Sequence, residues 1–156
     1  MNQGTFAART RFDSSHPTAL AIYCSDGRFT DSVEELLHGL GHARLDTLTM
    51  PGGPALLNLW SATTSARHAV QEAARFLIEK HRIRKVVLVA HEGCGYYRSL
   101  CSGETPEQIE ERQRKDLEVA SRELRGHQGK VATDLFYART EGERVVFEPL
   151  RPRSPC

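Results

Sequence analysis

The chain has 156 residues, 39% of them hydrophobic and 26% charged, a length that suits one domain better than two and an apolar content too high for a disordered tail. Its 21 basic and 20 acidic residues leave a formal charge of +1, so electrostatics provides no argument for a nucleic-acid or membrane partner. No apolar run approaches the roughly 20 residues of a membrane span, and Met1–Pro17 lacks the hydrophobic stretch of a secretory signal, so the expectation is a cytoplasmic protein with 1–156 as one domain behind a short extension, 1–17.

Thr18–Tyr23 is an apolar run between Pro17 and the turn-like Ser25-Asp26-Gly27, and it predicts a buried strand. Thr30 or Asp31 then caps a predicted helix through Leu36 and Leu37 that ends near Gly39 or Gly41. Arg44–Thr49 alternates as a second strand, stopped by Met50-Pro51-Gly52-Gly53-Pro54. From Ser61 to His81 the positions Ala66, Ala69, Val70, Ala73, Ala74 and Leu77 follow helical spacing and predict one stripe against a sheet.

Lys85–Ala90 is nearly continuous in β-branched residues, as a central parallel strand covered on both faces requires. Thr105-Pro106-Glu107-Gln108 supplies a capping box and a proline at the first helical position, opening a densely charged helix to about Arg125 with Leu117 and Leu124 on a narrow buried stripe. Lys130–Arg139 and Arg144–Leu150 read as a hairpin around Thr140-Glu141-Gly142-Glu143, and Arg151–Cys156 reads as frayed. The order β-α-β-α-β-α-β-β predicts an α/β fold: an open, mainly parallel sheet with helices on both faces and a C-terminal hairpin. Such sheets bind ligands beyond the carboxyl ends of their strands, which directs attention to the loops after Tyr23 and after Ala90.

Those loops read Cys24-Ser25-Asp26-Gly27-Arg28 and His91-Glu92-Gly93-Cys94-Gly95. Zinc takes thiolate and imidazole ligands in a tetrahedral arrangement, and a catalytic site keeps one position for water or substrate. Cys24, His91 and Cys94 would make such a set, with the fourth position left to water or to Asp26. Arg28 is close enough in sequence to pair with Asp26 and hold it off the metal. Taken singly, a cysteine at a strand end is more often a buried structural thiol; the two motifs together outweigh that reading.

The motifs C-x-D-x-R at Cys24, Asp26 and Arg28 and H-x-x-C-G at His91, Cys94 and Gly95, with the strands that lead into them, resemble the β-class carbonic anhydrases from about residue 18 onward. The resemblance implies Zn2+ on Cys24, His91 and Cys94, with Asp26 and Arg28 as the dyad that opens or closes the site. The implied reaction is reversible hydration of CO2 to bicarbonate with zinc hydroxide as nucleophile, and the implied assembly is a homodimer or higher homo-oligomer. The chain departs from the family's pattern in three places. Met1–Pro17 is shorter than the usual helical arm, and Gln3 is a poor match for a pocket glutamine supplied near it; Met50–Pro54 replaces an Asn- and Gly-bearing loop; Tyr96 and Tyr97 stand where smaller residues are frequent and are expected to crowd the pocket.

Other classes fit less well. A phosphatase loop would need its cysteine six positions before Arg98, where Glu92 stands. A non-catalytic zinc protein on the same fold, and a zinc hydrolase of carbonyl sulfide or carbon disulfide, are the alternatives that keep the metal. His16, His38, His42, His68, His81 and His127 read as ordinary histidines, and Cys101 as an inert thiol. Gly52-Gly53 reads as a tight turn, and Trp60 as a core or interface anchor.

Overall fold

The computed structural model describes residues 4–58, 60, 62–128 and 131–151. Gln3, Lys130 and the segment 152–156, which includes Cys156, lie outside the described residues. Strands β1 (Ala19–Cys24), β2 (Asp46–Met50), β3 (Lys85–His91), β4 (Ala132–Glu141) and β5 (Arg144–Leu150) form one sheet in the order β2-β1-β3-β4-β5. The pairs β1–β2, β1–β3 and β3–β4 are parallel, and β4–β5 is the expected antiparallel hairpin.

Helix α1 (Gly27–Gly39) leads from β1 to β2, α2 (Thr64–Lys80) from β2 to β3, and α3 (Gly95–Leu100) with α4 (Pro106–Gln128) from β3 to β4. Because the chain leaves β1 toward β2 and then returns on its other side with β3, the strand order switches direction between β1 and β3. The crevice at such a switch is where α/β sheets hold ligands, and the last residues of these two strands are Cys24 and His91.

Side chains alternating along β1 and β3 divide the core into two layers. Leu20, Ile22, Val86 and Leu88 pack on one face against Val70, Ala74 and Ile78 of α2 and Leu117, Ala120 and Leu124 of α4. Ala21, Tyr23, Val87 and Val89 pack on the other face against Phe29, Val33 and Leu37 of α1. All six residues of β1 are buried, as the uninterrupted apolar run implied. Each fully buried aliphatic side chain contributes roughly 1.5–3 kcal/mol of transfer free energy, so these two layers fix the strands that carry the loops.

Several boundaries differ from the sequence reading. Helix α1 begins at Gly27, three residues before the expected cap, because Asp26 serves as its N-cap and accepts the backbone N–H of Arg28. Strand β2 runs one residue beyond Thr49 to Met50. The Met50–Pro54 stretch ends the strand as expected, and Gly53–Leu57 then winds into a buried 3₁₀ turn, too short to show a period in the sequence. Helix α3 was likewise not anticipated; with six residues it is too short to display a helical period. Helix α4 keeps its narrow stripe, but that stripe includes buried Gln113, Asp116 and Ser121 beside the expected Leu117 and Leu124.

Candidate metal centre

Parallel pairing of β1 with β3 brings the ends of both motifs together. The ligand atoms of Cys24, His91 and Cys94 all lie within 4.8 Å of one another, and among the described residues this is the group of His, Cys, Asp and Glu side chains that could hold a metal ion. Asp26 is not part of it. His91 and Cys94 are buried, and Cys24 is the least enclosed of the three, its residue 8% exposed.

The donor set fits a zinc ion on three counts. Tetrahedral zinc with sulfur ligands at about 2.3 Å spaces two sulfurs about 3.8 Å apart, and the Cys24 and Cys94 sulfurs stand 3.9 Å apart. His91 Nδ1 is 2.8 Å from the backbone oxygen of Glu92. A carbonyl has no proton to give, so Nδ1 is the donor, and Nε2 of the neutral ring carries a lone pair. That Nε2 is buried without a hydrogen-bond partner, an arrangement that costs stability unless something occupies the lone pair. A histidine oriented through its other nitrogen is the usual support of a metal ligand.

Backbone amides complete the environment of the sulfurs. The N–H groups of Gly52 and Asp26 lie beside the Cys24 sulfur and those of Tyr96 and Tyr97 beside the Cys94 sulfur, where they favour the thiolate of each. The hydrogen bond from Cys94 holds the Cys24 thiol well below its ordinary range, and the same bond together with burial pushes Cys94 up. Two adjacent buried thiolates repel one another, so full deprotonation of the pair calls for a cation between them.

Glycines make the Gly52 contact possible. Both Gly52 (φ +84°) and Gly53 (φ +49°) adopt left-handed backbone conformations. A Cβ on Gly53 would lie 2.6 Å from the carbonyl carbon of Tyr23 and 2.7 Å from the nitrogen of Cys24, and one on Gly52 would strike the Tyr96 ring at 2.4 Å. The pair is therefore a tight turn, as expected, with the added purpose of laying backbone directly against the end of β1.

Asp26 and Arg28 form the dyad that their spacing suggested. Arg28 Nε is 3.0 Å from Oδ1 and Nη2 is 2.6 Å from Oδ2, a forked guanidinium–carboxylate pair. Hydrogen bonding from Arg28 holds the Asp26 carboxyl down at about 2. Next in sequence, the Phe29 ring packs on the His91 imidazole with centroids 4.3 Å apart.

A cavity of about 760 Å³ opens beside the cluster, lined by Arg28, Phe29, Cys94, Arg98, Gln113 and Tyr137 among others. Tyr96 and Tyr97 do not line it, contrary to the expectation that they crowd the pocket. Tyr97 turns inward instead and donates its hydroxyl to Asp116 at 2.6 Å, while Tyr96 lies over Gly52. Cys101 is buried beside Cys94 and Tyr97 and lines the cavity without joining the metal group; burial pushes its thiol up, in keeping with an inert role. Trp60 is 45% exposed, and its ring nitrogen donates to Asp116 at 2.8 Å. His81, read as an ordinary histidine, has its Nδ1 2.6 Å from Asp46 Oδ2 and its ring stacked on His16 at 3.9 Å. The sequence contained no local signal for these last contacts, which join residues 35 and more positions apart.

A family model described as "Putative carbonic anhydrase" matches residues 14–139. A Rickettsia bellii protein described only as uncharacterized is 24% identical over 141 residues, spanning 89% of this chain and 85% of its own length. The β-carbonic anhydrase CafA of Aspergillus fumigatus superposes with a TM-score of 0.58 at 15% identity, covering 90% of this chain and 78% of that one. One of two tetrameric β-carbonic anhydrases from Sordaria macrospora gives a TM-score of 0.50 at 14% identity, covering 86% and 81%. At such identities the two structures are alike in fold.

Proposed function

The chain belongs to the β-carbonic-anhydrase-like family, and from that premise we propose that it hydrates CO2 reversibly to bicarbonate at a zinc ion held by Cys24, His91 and Cys94. The observation that carries the proposal is the convergence of two sulfurs with a buried, unpartnered imidazole nitrogen, while the Asp26 carboxylate, two positions after Cys24, is held by an arginine. Zinc bound there would act as a Lewis acid and bring the acidity of a bound water into the neutral range.

The chain's own residues have separate tasks in this reading. Arg28 occupies the Asp26 carboxylate from one side, which keeps it from closing the fourth metal position. Two oxygens offer about four acceptor sites, so Asp26 retains a lone pair that can accept a hydrogen bond from the reacting water and orient it. The Phe29 ring and the Gln113 amide fix the His91 side chain and backbone from two sides. Phe29, Ile109 and Tyr137 give the cavity apolar surface suited to a substrate without net charge. The free thiols of Cys24, Cys94 and Cys101 suit a reducing compartment, and we assign the protein to the cytoplasm. We further infer a homo-oligomer, at least a dimer. The outer edge of β5, which no other strand among the described residues pairs, and the tetrameric Sordaria relatives support it, and sedimentation equilibrium showing only the chain mass at micromolar concentration would exclude it.

The test of the reaction is a comparison of substrates on protein of known zinc content. CO2 hydration well above the metal-free background is the expected result. Turnover of carbonyl sulfide or carbon disulfide without CO2 hydration would move the assignment to that substrate, and no turnover of any of the three would leave a metal-binding protein without this activity.

A further inference from the structure

Helix α4 is the most highly charged element of the chain, yet Gln113, Asp116 and Ser121 on it are buried, and the first two of these face the ligand-bearing loops. Gln113 is 1% exposed and Asp116 is 3% exposed, one helical turn apart on the same face. Each reaches one of the segments that carry the metal ligands. Gln113 Nε2 donates to the backbone oxygen of His91 at 2.8 Å. The Asp116 carboxylate accepts the Tyr97 hydroxyl at 2.6 Å on one oxygen and the Trp60 ring N–H at 2.8 Å on the other. The Asp116 backbone oxygen accepts the Asn58 side-chain amide at 3.3 Å.

These partners are not scattered. Tyr97 is in α3, the helix that starts directly after Cys94 and has Cys94 as its N-cap residue. Asn58 and Trp60 follow the 3₁₀ turn whose entry places the Gly52 amide on the Cys24 sulfur. His91 is itself the imidazole of the cluster. The segments around His91, after Cys94 and after Gly52 are therefore held from α4 by these two residues, whereas Cys24 at the end of β1 and the turn after it are not.

We propose that Gln113 and Asp116 form a two-pronged clamp on α4 that positions the metal ligands, so that metal affinity depends on residues that do not touch the metal. The inference rests on the zinc site proposed above. Polar groups of this kind normally face water on such a helix; inside, the bonds from Gln113 Nε2 and to both Asp116 oxygens are strengthened by the low-dielectric surround and fix a single geometry, although Gln113 Oε1 is left without a partner. Groups that orient ligands in this way are worth about 10–100-fold in metal affinity or activity.

The experiment measures zinc affinity by competition with a chelator, and the thiolate-to-cobalt absorption of the cobalt-substituted protein, across a set of variants. Asp116→Asn keeps the side-chain shape but opposes an amide N–H to one of its two donors, and Gln113→Met keeps the volume without the donor. Both are expected to bind zinc about 10–100-fold more weakly and to shift the cobalt bands. Tyr97→Phe should weaken binding in the same direction and, combined with Asp116→Asn, should cost less than the product of the two single effects, since the aspartate acts through that hydroxyl. Leu124→Ala, at the far end of the buried stripe on the same helix, should lower the melting temperature while leaving zinc affinity and the cobalt bands unchanged.

If Asp116→Asn fails to fold, Tyr97→Phe and Gln113→Met carry the comparison. Unchanged affinity and unchanged bands in these variants would overturn the clamp, as would an equal loss of affinity in Leu124→Ala. Absence of thiolate-to-cobalt bands in the parent protein would instead overturn the zinc reading beneath it.

Discussion

Replacing Cys94 by serine is expected to empty the site. Zinc sites in small domains bind with apparent free energies of about 10–16 kcal/mol spread over their ligands, so removing one thiolate from a set with three protein donors should lose roughly 3–5 kcal/mol, or about 10²- to 10⁴-fold in affinity. Serine is nearly isosteric and fits the same buried spot, so the strands should remain paired and the effect should fall on the metal. The amides of Tyr96 and Tyr97 beside the Cys94 sulfur would then have a hydroxyl for a neighbour, which stays protonated and neutral at neutral pH. Metal analysis after dialysis against a chelator should find zinc near one equivalent in the parent and little in Cys94→Ser, with circular dichroism unchanged. Full zinc retention in a protein that lacks both Cys24 and Cys94 would refute the ligand assignment.

Arg28→Ala is expected to do the opposite, keeping the metal and losing the reaction. The guanidinium is 67% exposed while the carboxylate it holds is 19% exposed, so the substitution removes little buried surface and leaves the core intact. What remains on the Asp26 carboxylate is the backbone N–H of Arg28 at 3.1 Å, which any residue at position 28 supplies. The carboxylate is then free to turn toward the fourth metal position, and CO2 hydration should fall by about 10²-fold or more, the usual scale for a positioned acid–base partner. Arg28→Lys should rescue only in part, because an ammonium cannot reproduce the forked pair.

Asp26→Asn separates the two tasks of that residue. Its amide oxygen still caps α1, so stability should change little, whereas Asp26→Ala should lose about 0.5–2 kcal/mol through the missing cap. Both variants should retain zinc, and both should lose turnover by a similar factor if the charge of Asp26 orients the reacting water. An Arg28→Ala protein that hydrates CO2 at the parent rate would remove the dyad from the account.

These expectations depend on features that were unevenly visible in the sequence. The runs Thr18–Tyr23 and Lys85–Ala90 marked the two central strands because strands buried on both faces tolerate little but apolar residues, and the motifs that follow each run then had to meet at neighbouring strand ends. The start of α1 is hidden because Ser25-Asp26-Gly27 reads as a turn, while in the structure Asp26 is the cap and the helix begins at Gly27. Helix α3 offered a single turn of Gly-Tyr-Tyr-Arg-Ser-Leu with no period to detect.

The inward turn of Tyr97 follows from a partner, Asp116, that lies 19 positions away on a helix dominated by charge. A signal for it did exist. Gln113 and Asp116 share the helical stripe of Leu117, Ala120 and Leu124, so their burial follows from spacing even though their residue types suggest solvent.

The most direct test of the central claim titrates zinc into metal-free protein and measures bound metal and CO2 hydration on the same samples. The rate should rise in proportion to bound zinc and level off near one equivalent per chain, while Cys94→Ser shows neither binding nor rate. Zinc bound at one equivalent with no hydration above background, or hydration that does not follow bound zinc, would contradict the account.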